Sequence, residues 1–187
     1  MTTEFVGRRR ELLDTLHFAD PAVQAEITLF LAHEAGLLDD RQFHAWVEIV
    51  AEDFVYQVPT PVTPDSPFKP HYDDRSLLID ESRWSMSTQW FRRFDEDIYE
   101  TAWGENPPVR FRHFVTNIRA LVTADPHEYI VHSNVMLVGT RQSNAPKYLT
   151  GERTDTIVRR GDRLLLLRRW VVLDQTLLDF PQLRIIL

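Results

Sequence analysis

From Pro108 onward the chain reads as β-structure almost without a break. Val109 to Val122, Tyr129 to Val138, Tyr148 to Val158 and Leu164 to Leu173 are four long runs rich in β-branched, aromatic and aliphatic residues. Turn formers part them, at Asp125-Pro126, Asn144-Ala145-Pro146 and Arg160-Gly161-Asp162. Connections this short join antiparallel neighbours, because a parallel return needs a crossover of about a dozen residues or more. The C-terminal part is therefore expected to form a meander of long strands, and what precedes it must cover one face of that sheet.

Helical periodicity is confined to the preceding half. Asp20-Pro21 reads as an N-cap followed by proline at the first helical position, with Val23, Ile27, Phe30 and Leu31 at helical spacing and Gly36 just past the end. A second start at Asp39-Asp40 carries Phe43, Trp46, Val47 and Val50. This spacing predicts a hairpin of two short helices around Gly36. Phe54 to Val58 is a short β-run stopped by Pro59. Prolines at 59, 61, 64, 67 and 70 predict a proline-rich loop or ordered arm over 59–70, neither strand nor helix. Asp80 or Ser82 is placed to cap a third helix bearing Trp84, Trp90, Phe91, Phe94 and Ile98, ending before Gly104. Helices followed by a long antiparallel sheet give an α+β fold. It is expected as one domain over 20–187 behind an N-terminal arm, 1–19.

Composition then removes whole classes of chemistry. A chain of 187 residues suits one domain that buries roughly 70% of its unfolded surface. It has no cysteine, which excludes a thiolate nucleophile, a disulfide framework, a cysteine zinc site and a cysteine-ligated iron–sulfur cluster. A net charge of -7 argues against broad binding to nucleic acid. The basic residues are nearly all arginine, with only Lys69 and Lys147 as lysine, and arginine's planar fork suits paired carboxylates at partly buried interfaces. No run of about 18 apolar residues exists, and Arg8, Arg9 and Arg10 have no apolar stretch behind them, so no membrane span or secretion signal is expected and the chain is placed in the cytoplasm.

Motifs for metal or phosphate are missing. His33-Glu34 begins like a metalloprotease helix, but Leu37 stands where the second histidine belongs. No glycine-rich phosphate loop or nucleophile elbow is present, and no metal or cofactor ligand set is expected. Arg160-Gly161-Asp162 is explained as a turn. More informative is the arginine cluster around it. In a strand Arg168 and Arg169 point to opposite faces, so one of them approaches the buried or paired side. The preferred reading is a salt-bridge patch between subunits, with Arg153, Arg159, Arg168, Arg169 and Asp174 as interface candidates. An alternative places Asp53, Tyr56 and His113, with Asn117, in a pocket formed if the sheet curls around the helices. Such a pocket suits a stand-alone isomerase or dehydratase using acid–base groups, or a small-molecule binding protein.

Several segments together resemble a known family. Glu34-Ala35-Gly36-Leu37-Leu38-Asp39-Asp40 with Phe43 and Trp46, then Asp53, Tyr56 and Pro59, resembles the start of the small (beta) subunits of bacterial aromatic-ring-hydroxylating dioxygenases. Pro107-Pro108 followed by Arg112-His113-Phe114 and Asn117-Ile118 is similar to that family's first long strand, and Gly151-Glu152-Arg153-Thr154-Asp155 to its third. Arg168-Arg169 with Leu173-Asp174-Gln175-Thr176 is similar to its fourth. The resemblance implies a cone-shaped fold of the nuclear-transport-factor-2 (NTF2-like) or scytalone-dehydratase type. It also implies an assembly of three large (alpha) and three small subunits with beta–beta trimer contacts, and a reaction that adds both atoms of O₂ to an aromatic ring as a cis-dihydrodiol. The Rieske [2Fe–2S] centre and mononuclear non-haem Fe(II) would sit in the alpha subunit, with electrons from NADH arriving through separate carriers. No catalytic residue is carried onto this chain. The family commonly ends in an Asn-Leu-Ser-like tail, whereas this chain has Pro181-Gln182-Leu183 before Arg184-Ile185-Ile186-Leu187, so the packing of these last residues is not carried over.

Overall fold

The computed structural model describes residues 17–66, 68–102, 107–178, 180 and 185–187, and in it all four long runs form strands close to their expected bounds. The order is α1 (Pro21–Asp39), α2 (Phe43–Val47), β1 (Val50–Pro61), β2 (Tyr72–Ser82), a broken helical stretch from α3 (Arg83–Ser85) to α4 (Glu96–Tyr99), then β3 (Arg110–Val122), β4 (Glu128–Thr140), β5 (Lys147–Arg160) and β6 (Arg163–Leu173). Six strands make one sheet in the order β2-β1-β6-β5-β4-β3. The stretch from β3 to β6 is the expected antiparallel meander, and Gly161 makes its last turn at φ 62°. Before it, β1 lies parallel to β6 and antiparallel to β2.

The helix hairpin is not formed. Asp20 caps α1 as expected, accepting from the Ala22 N–H at 2.9 Å, but the helix runs through Gly36 to Asp39. Leu37 and Leu38 lie on its buried face, and that burial outweighs the roughly 1 kcal/mol that a glycine costs inside a helix. The stop comes at Arg41, in the left-handed region at φ 57°. There the Gln42 N–H donates to the Leu37 carbonyl at 2.8 Å and the Arg41 N–H to that of Leu38 at 3.2 Å, the paired bonds that close a helix C-terminus. Arg41 is further held by donating to the Val109 carbonyl and by lying 5.6 Å over the Phe94 ring. Val50, expected on the second helix, instead begins β1.

Two other expectations need correction. Pro59 does not end β1, which runs to Pro61 with irregular pairing on both sides of Pro59. Pairing of β1 with β6 stops at Gln57, so the missing proline N–H is not needed on that side. Residues 62–66 and 68–71 do lie outside helix and strand, closed by Val62 N–H on the His71 carbonyl; Pro67 lies outside the described residues, as do 1–16 of the expected arm. The third helix starts at its expected cap, where Ser82 and Ser85 bond each other's backbone N–H groups. It is then broken into a widened five-residue turn (Met86–Trp90) and a tight one (Phe91–Phe94). The widened turn lets Met86, Trp90 and Phe91 all face inward.

One helix touches strands far apart in the sheet. From α1, Gln24 bonds the Ile118 carbonyl and the Ala120 N–H on β3, Glu26 pairs with Arg159 on β5, and Glu34 pairs with Arg169 on β6. α1 thus lies across the inner face from β3 to β6, and the twist of these long strands curls the sheet around it as a cone. Trp46 of α2 closes the space on the other side, edge-on to Phe54 at 5.6 Å and to Phe91 at 5.8 Å.

Candidate functional site

Alternation along β5 sends Leu149, Gly151, Arg153, Asp155 and Ile157 to the inner face. On β6 the same alternation slips by one residue. Leu164 and Leu166 are buried, and after an irregularity opposite Thr156/Ile157 the buried positions become Arg169 and Val171. Leu167 is the unpaired extra residue of this bulge. Its effect is to set Arg169 directly across from Asp155.

Arg169 thereby gains a complete set of partners. Its Nε donates to Asp155 Oδ1 at 2.9 Å and its Nη2 to Oδ2 at 3.0 Å, while Nη1 and Nη2 reach the two Glu34 oxygens at 2.6 and 2.7 Å. Trp46 Nε1 donates to the same Glu34 at 3.1 Å. Arg153 joins the group through Asp155 Oδ2 at 3.1 Å and Ser133 Oγ at 3.1 Å. Two carboxylates and two guanidiniums thus meet in the core, each residue at most 1% exposed. Burial alone would neutralise Glu34, but the charges of Arg169 and Arg153 and the bonds from Arg169 and Trp46 outweigh it and hold its carboxyl down at about 2. Burial likewise works against the charge of Arg169, and Asp155 and Glu34 overcome it, so its hold on the proton is strengthened. In Arg153 burial, with Arg169 beside it, wins and the hold is weakened. Its Nη2 has no hydrogen-bond partner among the described residues.

Beside this cluster the last residues of the sequence enter the cone. Ile185, Ile186 and Leu187 are buried. The Tyr56 hydroxyl donates to the Ile185 carbonyl at 3.0 Å and accepts from the Leu187 N–H at 3.3 Å. His113 Nε2 lies 2.9 Å from the Ile186 carbonyl and Nδ1 lies 2.7 Å from Asp39 Oδ1. Both ring nitrogens thus face an acceptor oxygen. Burial works against the Asp39 charge, but the bonds from His113 and the Arg112 charge win and keep this carboxyl below its ordinary range. Burial pushes the Tyr56 phenol well above its ordinary range. Between the tail and Leu38, Phe43, Trp90, Phe91 and Phe111 only a cavity of about 40 Å³ remains.

Tyr56 and His113, expected to share a pocket, therefore converge on one peptide segment. Asp53 is not with them: it lies exposed and bonds Arg160 Nη2 at 3.0 Å. Asn117 is also exposed, at φ 54° beside a break in the β3–β4 pairing. Of the arginines expected at a subunit interface, Arg153 and Arg169 are corrected to the core, because strand parity and the bulge turn them inward. Arg159 forks onto Glu26 of α1, with Nη1–Oε1 at 3.0 Å and Nη2–Oε2 at 2.5 Å. Arg168 and Asp174 are exposed. Asp174 borders an open groove of about 570 Å³ on the outer face with Phe114, Met136, Thr150 and Glu152. Sequence reasoning missed Glu34 as a buried charge. Its signal was available: Glu34 follows Ile27 and Leu31 on the stripe that α1 buries.

Comparison with known proteins gives a consistent picture. Residues 33–179 match the family model described as ring hydroxylating beta subunit. Over 171 residues the chain is 30% identical to the 3-phenylpropionate/cinnamic acid dioxygenase subunit beta of Photorhabdus laumondii, covering 89% of this chain and 92% of that one. A solved structure of naphthalene 1,2-dioxygenase with indole bound in the active site matches with TM-score 0.77 and 27% identity, over 90% of this chain and 88% of that chain. A protein of the scytalone-dehydratase type from Novosphingobium aromaticivorans matches with TM-score 0.52 and 15% identity, over 80% and 82% of the two chains, a likeness of fold alone.

Proposed function

This chain belongs to the ring-hydroxylating dioxygenase beta subunits, and from that premise we propose that it is the structural small subunit of a cytoplasmic terminal oxygenase in which three copies join three alpha subunits. The alpha subunits add both atoms of O₂ to an aromatic ring, giving a cis-dihydrodiol, with electrons from NADH delivered by separate carriers. The observation that carries this reading is the use the chain makes of its inward polar groups. Glu34, Asp155, Arg153 and Arg169 pair with one another, with only Arg153 Nη2 left without a partner among the described residues, and Tyr56 and His113 bond the chain's own backbone. Little is left in the cone to meet a substrate.

The residues present do not fit the family's redox groups. A Rieske centre needs two cysteines and this sequence has none. Among the described residues no three histidine or acidic side chains converge as metal ligands. No step of the reaction is routed through this chain. Subunit contacts, in this reading, fall on the outer face, where Arg168, Asp174 and the groove beside Phe114 are accessible.

Native mass measurement with iron analysis tests the proposal. The isolated chain is expected to carry no iron and turn over no aromatic compound, and to restore a heterohexameric oxygenase when mixed with its alpha partner. A monomer holding stoichiometric iron, or an active alpha oligomer that excludes this chain, would overturn it.

A further inference from the structure

We propose that the inner end of the cone is a peptide-binding site, that its resident ligand is the segment Ile185–Leu187, and that the ligand class it accepts is a short aliphatic peptide. This inference concerns the chain alone and does not rest on the proposed function.

The segment is held as a ligand is held and not as a strand. Among the described residues its backbone makes no ladder with the sheet. Instead three of its polar groups meet side chains on two separate strands: the Ile185 carbonyl and the Leu187 N–H both meet the Tyr56 hydroxyl, and the Ile186 carbonyl meets His113. Tyr56 can serve both contacts because a hydroxyl donates once and accepts as well. Each of these groups is itself positioned by a second contact. Tyr56 stands edge-on to Trp90 at 6.4 Å, and His113 is fixed by Asp39, which also accepts the His113 backbone N–H at 3.0 Å and Arg112 Nη1 at 3.0 Å. Apolar walls with a few convergent polar groups are the general build of a binding pocket. Here the walls are chiefly Leu38, Phe43, Trp90, Phe91 and Phe111, with Arg41 and Arg93 also lining the cavity, and the segment supplies Ile185 and Ile186 to them.

The remaining cavity of about 40 Å³ has room for a water or two and not for a side chain. Binding of any further molecule therefore requires the segment to leave. A chain ended at residue 184 loses three large aliphatic side chains from the core while keeping Tyr56, His113 and Asp39 in place. Such a cone presents a vacancy of defined shape with one hydroxyl and one imidazole aimed into it, and the free peptide refills it.

The test uses the purified chain, either complete or ended at residue 184, and the acetylated peptide Ile-Ile-Leu as probe in calorimetric titration. The shortened chain is expected to bind one peptide per small subunit, at least tenfold more weakly when it also carries Tyr56→Phe and His113→Asn, and the complete chain to bind none. Equal binding to complete and shortened chains, or no binding to a shortened chain whose circular dichroism is native, would overturn the proposal. Should the shortened chain not fold, hydrogen exchange on the complete one decides. The Leu187 amide is expected to be protected and to lose at least tenfold of that protection in Tyr56→Phe while the β4 and β5 amides keep theirs. Unchanged Leu187 protection in that variant would sink the idea.

Discussion

Arg168 and Arg169 are neighbours in sequence and opposites in the fold. Arg168 stands in solvent, as does much of Arg160, whose partner Asp53 is also exposed. Arg169 is wrapped by four carboxylate oxygens at 2.6–3.0 Å with essentially no exposure. The side chains are chemically identical, yet their energetics differ in kind. An exposed pair gains little because water and salt screen it. A buried group must be fully paired, because each charge left alone in the core keeps its whole desolvation cost. What separates the two is strand parity, and parity here is set by a one-residue bulge.

The strongest way to break this contrast is Arg169→Met. It leaves Glu34 and Asp155 facing each other with only Arg153 between them, and a loss of about 3–5 kcal/mol in urea unfolding is expected, as for other buried pairs deprived of one partner. Arg168→Met should stay within about 0.5 kcal/mol. Similar losses for the two would show that the buried network is not what distinguishes them.

Acid sharpens the same comparison. Glu34 is held at about 2 against an ordinary value of 4.5, and Asp39 also lies below its ordinary range. A depressed carboxyl binds fewer protons folded than unfolded, so its contribution is complete above its unfolded value and is lost as pH falls through the folded one. Urea midpoints should therefore drop as pH falls from about 4.5 towards about 2, and Glu34→Gln should flatten that slope while lowering the plateau. An unchanged slope in this variant would remove Glu34 as its source. Next in size, Asp39→Asn replaces the acceptor of His113 and Arg112 and is expected to cost about 1–3 kcal/mol. Smallest is Arg160→Ala, expected within about 0.5 kcal/mol and further reduced in 1 M salt, where screening acts over about 3 Å. A large, salt-insensitive loss there would mean that the rim pair behaves like the core.

The meander was legible because each of its strands carries alternation and each turn carries its own punctuation. The interior was less so, for identifiable reasons. Gly36 looked like a helix stop because local preference favours one there, yet Leu37 and Leu38 had a core to enter. Pro59 looked like the end of a strand because its environment, with β6 already diverging, depends on residues far away in sequence. The network around Glu34 was half visible in the sequence: an acid on an apolar stripe, and Arg153 and Arg169 each on a strand run. What joins them is the slip at Leu167, and a slip of one residue leaves no mark in a pattern that is already apolar from Leu164 to Leu167. Tyr56 and His113 meet through backbone at the far end of the chain, which no pattern around either residue signals.

The bulge makes Leu167 a spacer, and a spacer has a testable arithmetic. Deleting that one residue restores simple alternation from Leu166 to Arg169 and leaves every later side chain of β6 on its present face. Keeping Leu167 while forcing regular pairing does the reverse, turning Arg168 inward and Arg169 out. The doubled arginine then acts as a frame-tolerant element: whichever phase the strand adopts, a guanidinium arrives opposite Asp155. Trp170, Val171, Val172 and Leu173 all register the difference, each exchanging one face for the other, so on β6 it is the apolar run that reports the reading frame and the charged pair that tolerates its loss.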